Sequence, residues 1–142
     1  MKTAIIHCDG AFNLCSRIGG YGVTIQVSSK LIEFSERCNS VTSSARAELL
    51  AAIRGIQVAG PISNRIQIYS DAKYMVDGAN KYLKLWIKGK WFKEIANKDL
   101  WLEIDSLCKR YCVEWFWVKG HNGDYFNERA DELAKQALQE VE

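Results

Sequence analysis

The chain has 142 residues, 48% of them apolar and 25% charged, with a formal net charge of +2. That is the profile of one globular domain, residues 1–142, with enough chain to bury a core, and it excludes a polycation. No apolar run approaches the ~18 residues of a membrane span and the N-terminus lacks signal-peptide architecture, so a soluble, cytoplasmic protein is expected.

Residues 3–12 read as a first strand. Residues 21–28 and 31–38 read as a hairpin turning near Ser28-Ser29-Lys30, with Gly19-Gly20 punctuating the loop before it. Ser43 or Ser44 caps a helix running to about Ala59, which Gly60-Pro61 stops. A strand over 64–70 follows, then a short helix from Lys73 to Gly78. Next comes a segment rich in Lys and Trp that Gly89 interrupts, and a helix from about Asp99 to Lys109. A strand at 112–118 and a last helix from Asn127 complete the chain. Strands and helices in this order predict an α/β fold, a mixed sheet with helices packed on it. The five cysteines, Cys8, Cys15, Cys38, Cys108 and Cys112, are odd in number and lack paired spacing, which predicts small buried thiols in a reducing compartment.

Four acids have local settings that single them out. Asp9 lies in the apolar run Ala4-Ile5-Ile6-His7-Cys8-Asp9-Gly10, and Asp71 ends the run Ile66-Gln67-Ile68-Tyr69-Ser70-Asp71. Burying an acid in an apolar strand is costly unless it is paired or holds a metal. In the last helix the apolar stripe is Ala130, Leu133, Ala134, Ala137, Leu138 and Val141. Residues placed at ~100° steps put Glu128 and Glu132 in solvent and Asp131 at the stripe's edge, facing along the surface toward the sheet. In the earlier helix Leu49, Ile53 and Ile56 form the stripe. Glu48 sits on a flank with Ala45, Ala52, Gly55 and Ala59, small residues that permit close approach to the sheet. Taken singly, an acid on a helix is a solvated surface group, and Asp71 would serve as a turn or cap residue. The four together have no comparably simple structural account. If the fold gathers them, their mutual repulsion calls for divalent cations.

These residues also fit a family pattern. Asp9-Gly10, Arg46-Ala47-Glu48-Leu49, Ser70-Asp71, Trp117-Val118-Lys119-Gly120-His121-Asn122-Gly123 and Asn127-Glu128-Arg129-Ala130-Asp131-Glu132-Leu133-Ala134 resemble type 1 ribonuclease H, in order and over essentially the whole chain. The resemblance implies a five-stranded mixed sheet of order 3-2-1-4-5 flanked by helices, and hydrolysis of the RNA strand of an RNA–DNA hybrid. It makes Asp9, Glu48, Asp71 and Asp131 the metal-binding carboxylates and His121 the mobile loop histidine that assists proton movement or product release. Hard oxygen ligands suit two Mg²⁺ ions, or Mn²⁺, rather than zinc. No covalent intermediate is needed, so Ser70 is expected to be structural. His7 is expected to be a packed or rim histidine.

Six Lys and one Glu lie between Lys81 and Lys98. Lys81, Lys84, Lys88, Lys90 and Lys93 alternate with Tyr82, Trp86, Trp91 and Phe92. Alone, this is equally a solvated lysine-rich helix or a phosphate-binding surface. The segment resembles the family's basic protrusion, which grips the DNA strand, and on that footing Trp86, Lys88 and Lys90 are substrate-binding candidates. Trp101, Trp115 and Trp117 are expected in the core. The chain departs from the family in the loop Ala11-Phe12-Asn13-Leu14-Cys15-Ser16-Arg17-Ile18. It departs again at Ser44 and Ala45, where two Asn are usual, and at Lys73, where Gln is usual. Ser44 and Lys73 remain candidates for substrate contact, and relaxed discrimination is the expected consequence. A non-catalytic nucleic-acid-binding module and a nuclease for double-stranded RNA are the other readings. A mere binder, however, gains nothing from clustered negative charge near phosphates. Nothing in the sequence requires an oligomer, and a monomer is expected.

Overall fold

The computed structural model describes residues 2–39, 43–89, 94–120 and 123–139. Strands β1 (Thr3–Asn13), β2 (Ile18–Val27) and β3 (Lys30–Cys38) form an antiparallel meander. Strands β4 (Arg65–Ser70) and β5 (Val113–Trp117) add in parallel on the other side of β1. The resulting order is β3-β2-β1-β4-β5, the mixed sheet that the resemblance implies.

Helix α1 (Ser44–Ala59) covers one face of the sheet and α5 (Tyr125–Ala137) the other. Alternation along β1 sorts its side chains between them. Ala4, Ile6 and Cys8 are fully buried on the α1 side, where Gly55 of that helix approaches Ile6 and Val23. His7 and Asp9 face α5. Strand β2 is covered on both faces, which explains its nearly continuous burial from Gly19 to Ile25. The α1 N-terminus is capped by Ser43, whose side chain accepts the Arg46 N–H at 3.1 Å. Leu49, Ile53 and Ile56 form its buried stripe as expected, and Ala52, Gly55 and Ala59 are buried beside them.

Two helices differ from expectation. Rather than ending at Gly78, α2 (Lys73–Asp77) runs through a π-helical turn (Gly78–Tyr82) into α3 (Leu83–Lys88). Gly78 makes room instead of stopping the helix: a Cβ there would lie 2.5 Å from the ring of Trp101, on α4 (Lys98–Arg110). Helix α5 begins at Tyr125, before the expected Asn127, because Asp124 Oδ1 accepts the N–H groups of Phe126 and Asn127 at 3.1 Å each. Two burial expectations also need correction. Only Cys8 is a buried thiol, with Cys15 and Cys112 exposed and Cys38 and Cys108 half-buried. Trp101 and Trp115 enter the core, but Trp117 is 47% exposed because it ends β5 beyond the helices that cover the sheet. Among the described residues no helix is long and apolar enough to cross a membrane.

The packing of α5 on the sheet depends on Gly22. A Cβ on this residue would lie 2.4 Å from both the Ala130 carbonyl oxygen and the Leu133 Cβ. Gly22→Ala is therefore expected to destabilise the protein by about 3 kcal/mol in urea unfolding, because the obstacle is helix backbone. Gly123→Ala meets no atom within 4 Å and strains only a φ of +80°, so its expected cost is about 1 kcal/mol. Equal costs for the two variants would contradict this account.

Candidate active site

Asp9, in the interior of β1, and Asp71, just past the end of β4, come together, and α1 delivers Glu48. Each of the three offers a carboxylate oxygen lying within 4.8 Å of those of the others. Asp131 approaches from the opposite face and hydrogen-bonds the Asp9 side chain. Its Oδ2 lies 2.9 Å from Lys135 Nζ, one helical turn further on. Glu128 and Glu132 are exposed, as the helical geometry predicts.

The backbone makes this gathering possible. A Cβ on Gly10 would sit 2.4 Å from the Glu48 amide nitrogen. The missing side chain therefore lets the first turns of α1 rest on β1 beside Asp9. Asp71 is held from β5 and the chain after it. Trp117 Nε1 donates to the Asp71 carbonyl at 3.2 Å, and the Val118 N–H donates to Ser70 at 2.9 Å. At Gly120 a Cβ would come within 3.0 Å of Asp71 Oδ2. Ser70 is fully buried and accepts the Ala72 N–H at 3.1 Å, the structural role expected of it. Trp117 is the positioning group missed in the sequence. It reads as core with Trp101 and Trp115, and nothing local marks where the covering helices end.

Charge is crowded here. Burial first, then Asp71, Asp131 and Glu48, push the Asp9 carboxyl far above the ordinary carboxylate range. Burial and then Asp71 push Glu48 up to about 7. The fully buried Cys8 thiol is also pushed up, chiefly by burial, and stays protonated. An all-oxygen donor set this close, crowded with like charge, fits a hard divalent cation of the Mg²⁺ or Mn²⁺ type.

Two of the remaining candidates stand at helix starts, close in the chain to Glu48 and Asp71. Ser44 is exposed at the first position of α1, and Lys73 at the first position of α2, its Nζ 5.5 Å from the Trp117 ring centroid. Trp86 is half-buried, stacked on Tyr82 and edge-on to Trp101, while Lys88 ends α3 in solvent. His121 and Lys90 lie outside the described residues, as do Trp91, Phe92, Lys93 and Val141. His7 is buried, as expected of a packed histidine.

The family profile described as RNase H matches residues 1–139. The chain belongs to the ribonuclease H family. It is 40% identical to the ribonuclease H of Francisella philomiragia, over 99% of this chain and 93% of that one. Its fold is similar to that of RNase H1 from the archaeon Halobacterium salinarum (TM-score 0.70, 20% identity, 96% of this chain and 97% of the other). It is also similar to LC11-RNase H1 in complex with an RNA/DNA hybrid (TM-score 0.72, 19% identity, 96% and 99%). These ribonuclease H folds share the sheet order that carries the acids here.

The crowding has a pH signature. Asp9 and Glu48 have folded-state values above their unfolded ones, so each favours the folded state fully below its unfolded value and loses that contribution as pH rises through the folded one. For Glu48 the window runs from about 4.5 to about 7, and for Asp9 it extends higher. Without divalent ions, stability should therefore fall from pH 4 to pH 8. Asp9→Asn should exceed the parent by roughly 1–3 kcal/mol at pH 8 and match it at pH 4. Urea unfolding in EDTA at both values checks this. An Asp9→Asn variant less stable than the parent at pH 8 would contradict it.

Proposed function

We propose that this chain is a metal-dependent endoribonuclease that hydrolyses the RNA strand of RNA–DNA hybrids, leaving 5′-phosphate and 3′-hydroxyl ends. One observation carries the reading: Asp9, Glu48 and Asp71 present oxygens within 4.8 Å of one another at the rim of the sheet. Asp131 completes the set through Asp9. The hybrid held by LC11-RNase H1 gives the substrate class its support. Two divalent ions held by the four acids would supply an activated water and stabilise the leaving 3′-oxygen.

The side chains act by position. Asp9, buried on β1, would hold cations together with Glu48 and Asp71 beside it and Asp131 reaching it from the other face. No side-chain nucleophile is needed, consistent with a fully buried Ser70. His121 moves a proton or assists product release. Trp86, Lys88 and Lys90 take the DNA strand, with the ammonium groups on phosphates. Ser44 and Lys73 line the approach to the acids. Lys73 offers a charge where base-edge contact is usual in the family, so discrimination between hybrid and other duplexes is relaxed. The chain acts as a single domain and a monomer.

Labelled RNA–DNA hybrid, RNA duplex and DNA duplex, each incubated with Mg²⁺ or EDTA, test the proposal. Hybrid cleavage should require the cation and fall at least a thousandfold in Asp71→Asn. Undiminished cleavage by that variant, or none of the hybrid by the parent, would refute it; preferential cutting of RNA duplex would reassign the substrate. Lys88→Ala should raise KM with little change in kcat and lower the salt dependence of binding by about one phosphate contact. A change confined to kcat would remove Lys88 from the substrate surface.

A further inference from the structure

An aromatic ladder crosses the sheet beneath the acids. Phe116 of β5 stacks on Tyr69 of β4 (centroids 5.0 Å apart, 21° between planes), and Tyr69 stacks on His7 of β1 (5.2 Å, 15°). Phe126, in the first turn of α5, lies on His7 at 5.7 Å, and Tyr125 stacks on Phe126 at 4.9 Å. The three strand residues are register partners across β1, β4 and β5. Asp9 and Asp71 follow two of them by two residues each, so the ladder ends directly below the acids.

One member is out of keeping with its neighbours. A Phe at position 7 would fill the ladder without burying polar nitrogen. His7 is only 6% exposed, and its Nδ1 is buried with no hydrogen-bond partner, an unfavourable arrangement on packing grounds alone. Its Nε2 lies 3.6 Å from Asp124 Oδ1. That oxygen also caps α5 by accepting the N–H groups of Phe126 and Asn127. Seven residues, nearly two turns or about 10.5 Å, separate Asp124 from Asp131, so both lie on the same side of α5. The strand side matches: Asp124 meets β1 at His7, and Asp131 meets it at Asp9. From Ala130 onward α5 also rests on the outer strands: Ala130 and Leu133 lie against Gly22 of β2, and the Ser35 hydroxyl of β3 donates to the Leu133 carbonyl at 2.6 Å. The first two turns, which carry Asp131, meet the central strand at His7, which packs on Phe126 and lies beside Asp124.

We propose that His7 is a positioning residue for the cation site: by holding the Asp124 cap against β1 it fixes Asp131 opposite Asp9. The proposal rests on the reading of the four acids as a divalent-cation site. It adds a residue outside the carboxylate set on which cation affinity depends.

The test is calorimetric titration with Mn²⁺ in the absence of nucleic acid, alongside thermal unfolding in EDTA. His7→Phe keeps the ladder and removes the Nε2 contact. It should bind Mn²⁺ about tenfold more weakly, the usual scale for residues that orient ligands, with little change in metal-free stability. His7→Gln, which can place an N–H near the position of Nε2, should recover most of the affinity. Asp124→Ser retains a good capping group too short to meet His7. It should reproduce the His7→Phe loss, and combining the two should add little further. Parental Mn²⁺ affinity in His7→Phe, or in Asp124→Ser if the first variant fails to fold, would overturn the proposal. A loss that His7→Gln does not repair would also overturn it. If the parent itself binds no Mn²⁺, the cation-site reading falls and this proposal with it, an outcome distinct from a parent that binds and a variant that binds equally well.

Discussion

Two helices touch the sheet at backbone distance on either side of Asp9, and the rest of the site depends on those contacts. At Gly10 the start of α1 comes so close that no side chain fits between the strand and the Glu48 amide. At Gly22, the register partner of Asp9, α5 does the same through Ala130 and Leu133. Side-chain packing of ordinary bulk at either glycine would hold the helices off. Glu48 and Asp131 would then be solvated acids on separate elements. The approach is a property of the fold's backbone, and the side chains inherit their proximity from it.

That proximity is unfavourable for the carboxylates themselves. Burial and neighbouring charge both favour the protonated forms of Asp9 and Glu48. The opposing stabilisation comes from elsewhere: the apolar layer of Ile6, Cys8, Val23 and Ile25 against α1, the hydrogen bonds that hold Asp71 to β5, and the ladder beneath. Lys135 partly offsets the charge at Asp131. With its ammonium in solvent, Lys135 makes that pair contribute little to stability. The site is thus held together by a frame that does not need the acids, which is what permits electrostatically strained groups to persist at its rim.

The fold and the carboxylates were largely legible in the sequence, for reasons that can be named. Apolar runs located β1 and β4, and a period of 3.6 separated Asp131 from Glu128 and Glu132. The small flank Ala52, Gly55 and Ala59 announced the close helix that carries Glu48. The family motifs joined these pieces into one site. What stayed illegible depends on contacts between distant segments. Gly78 reads locally as a helix stop, but Trp101, on another helix, makes it a contact point in a helix that continues. Trp117 reads as core from its type and neighbours in an apolar strand, but it stands 47% exposed at the end of β5. Asp124 does carry a local signal, an acid before a helical pattern. The partner that gives it further meaning, His7, lies more than a hundred residues away.

The departures from the family pattern fall outside this frame. Ser44 and Lys73 are both first residues of helices, exposed, at the ends nearest the acids. Substitution there disturbs neither the glycine contacts nor the apolar layer, because the side chains leave the body of the protein. The acids have no such freedom. Asp9 is buried between two helices, and Asp71 is held by the Trp117 indole N–H on its carbonyl, by the Val118 N–H on the preceding Ser70, and by the close approach of Gly120. The same architecture that fixes the carboxylates therefore leaves the surrounding surface free to vary. Differences in what such a site accepts can arise at Ser44, Ala45 and Lys73 while the arrangement of the acids stays unchanged.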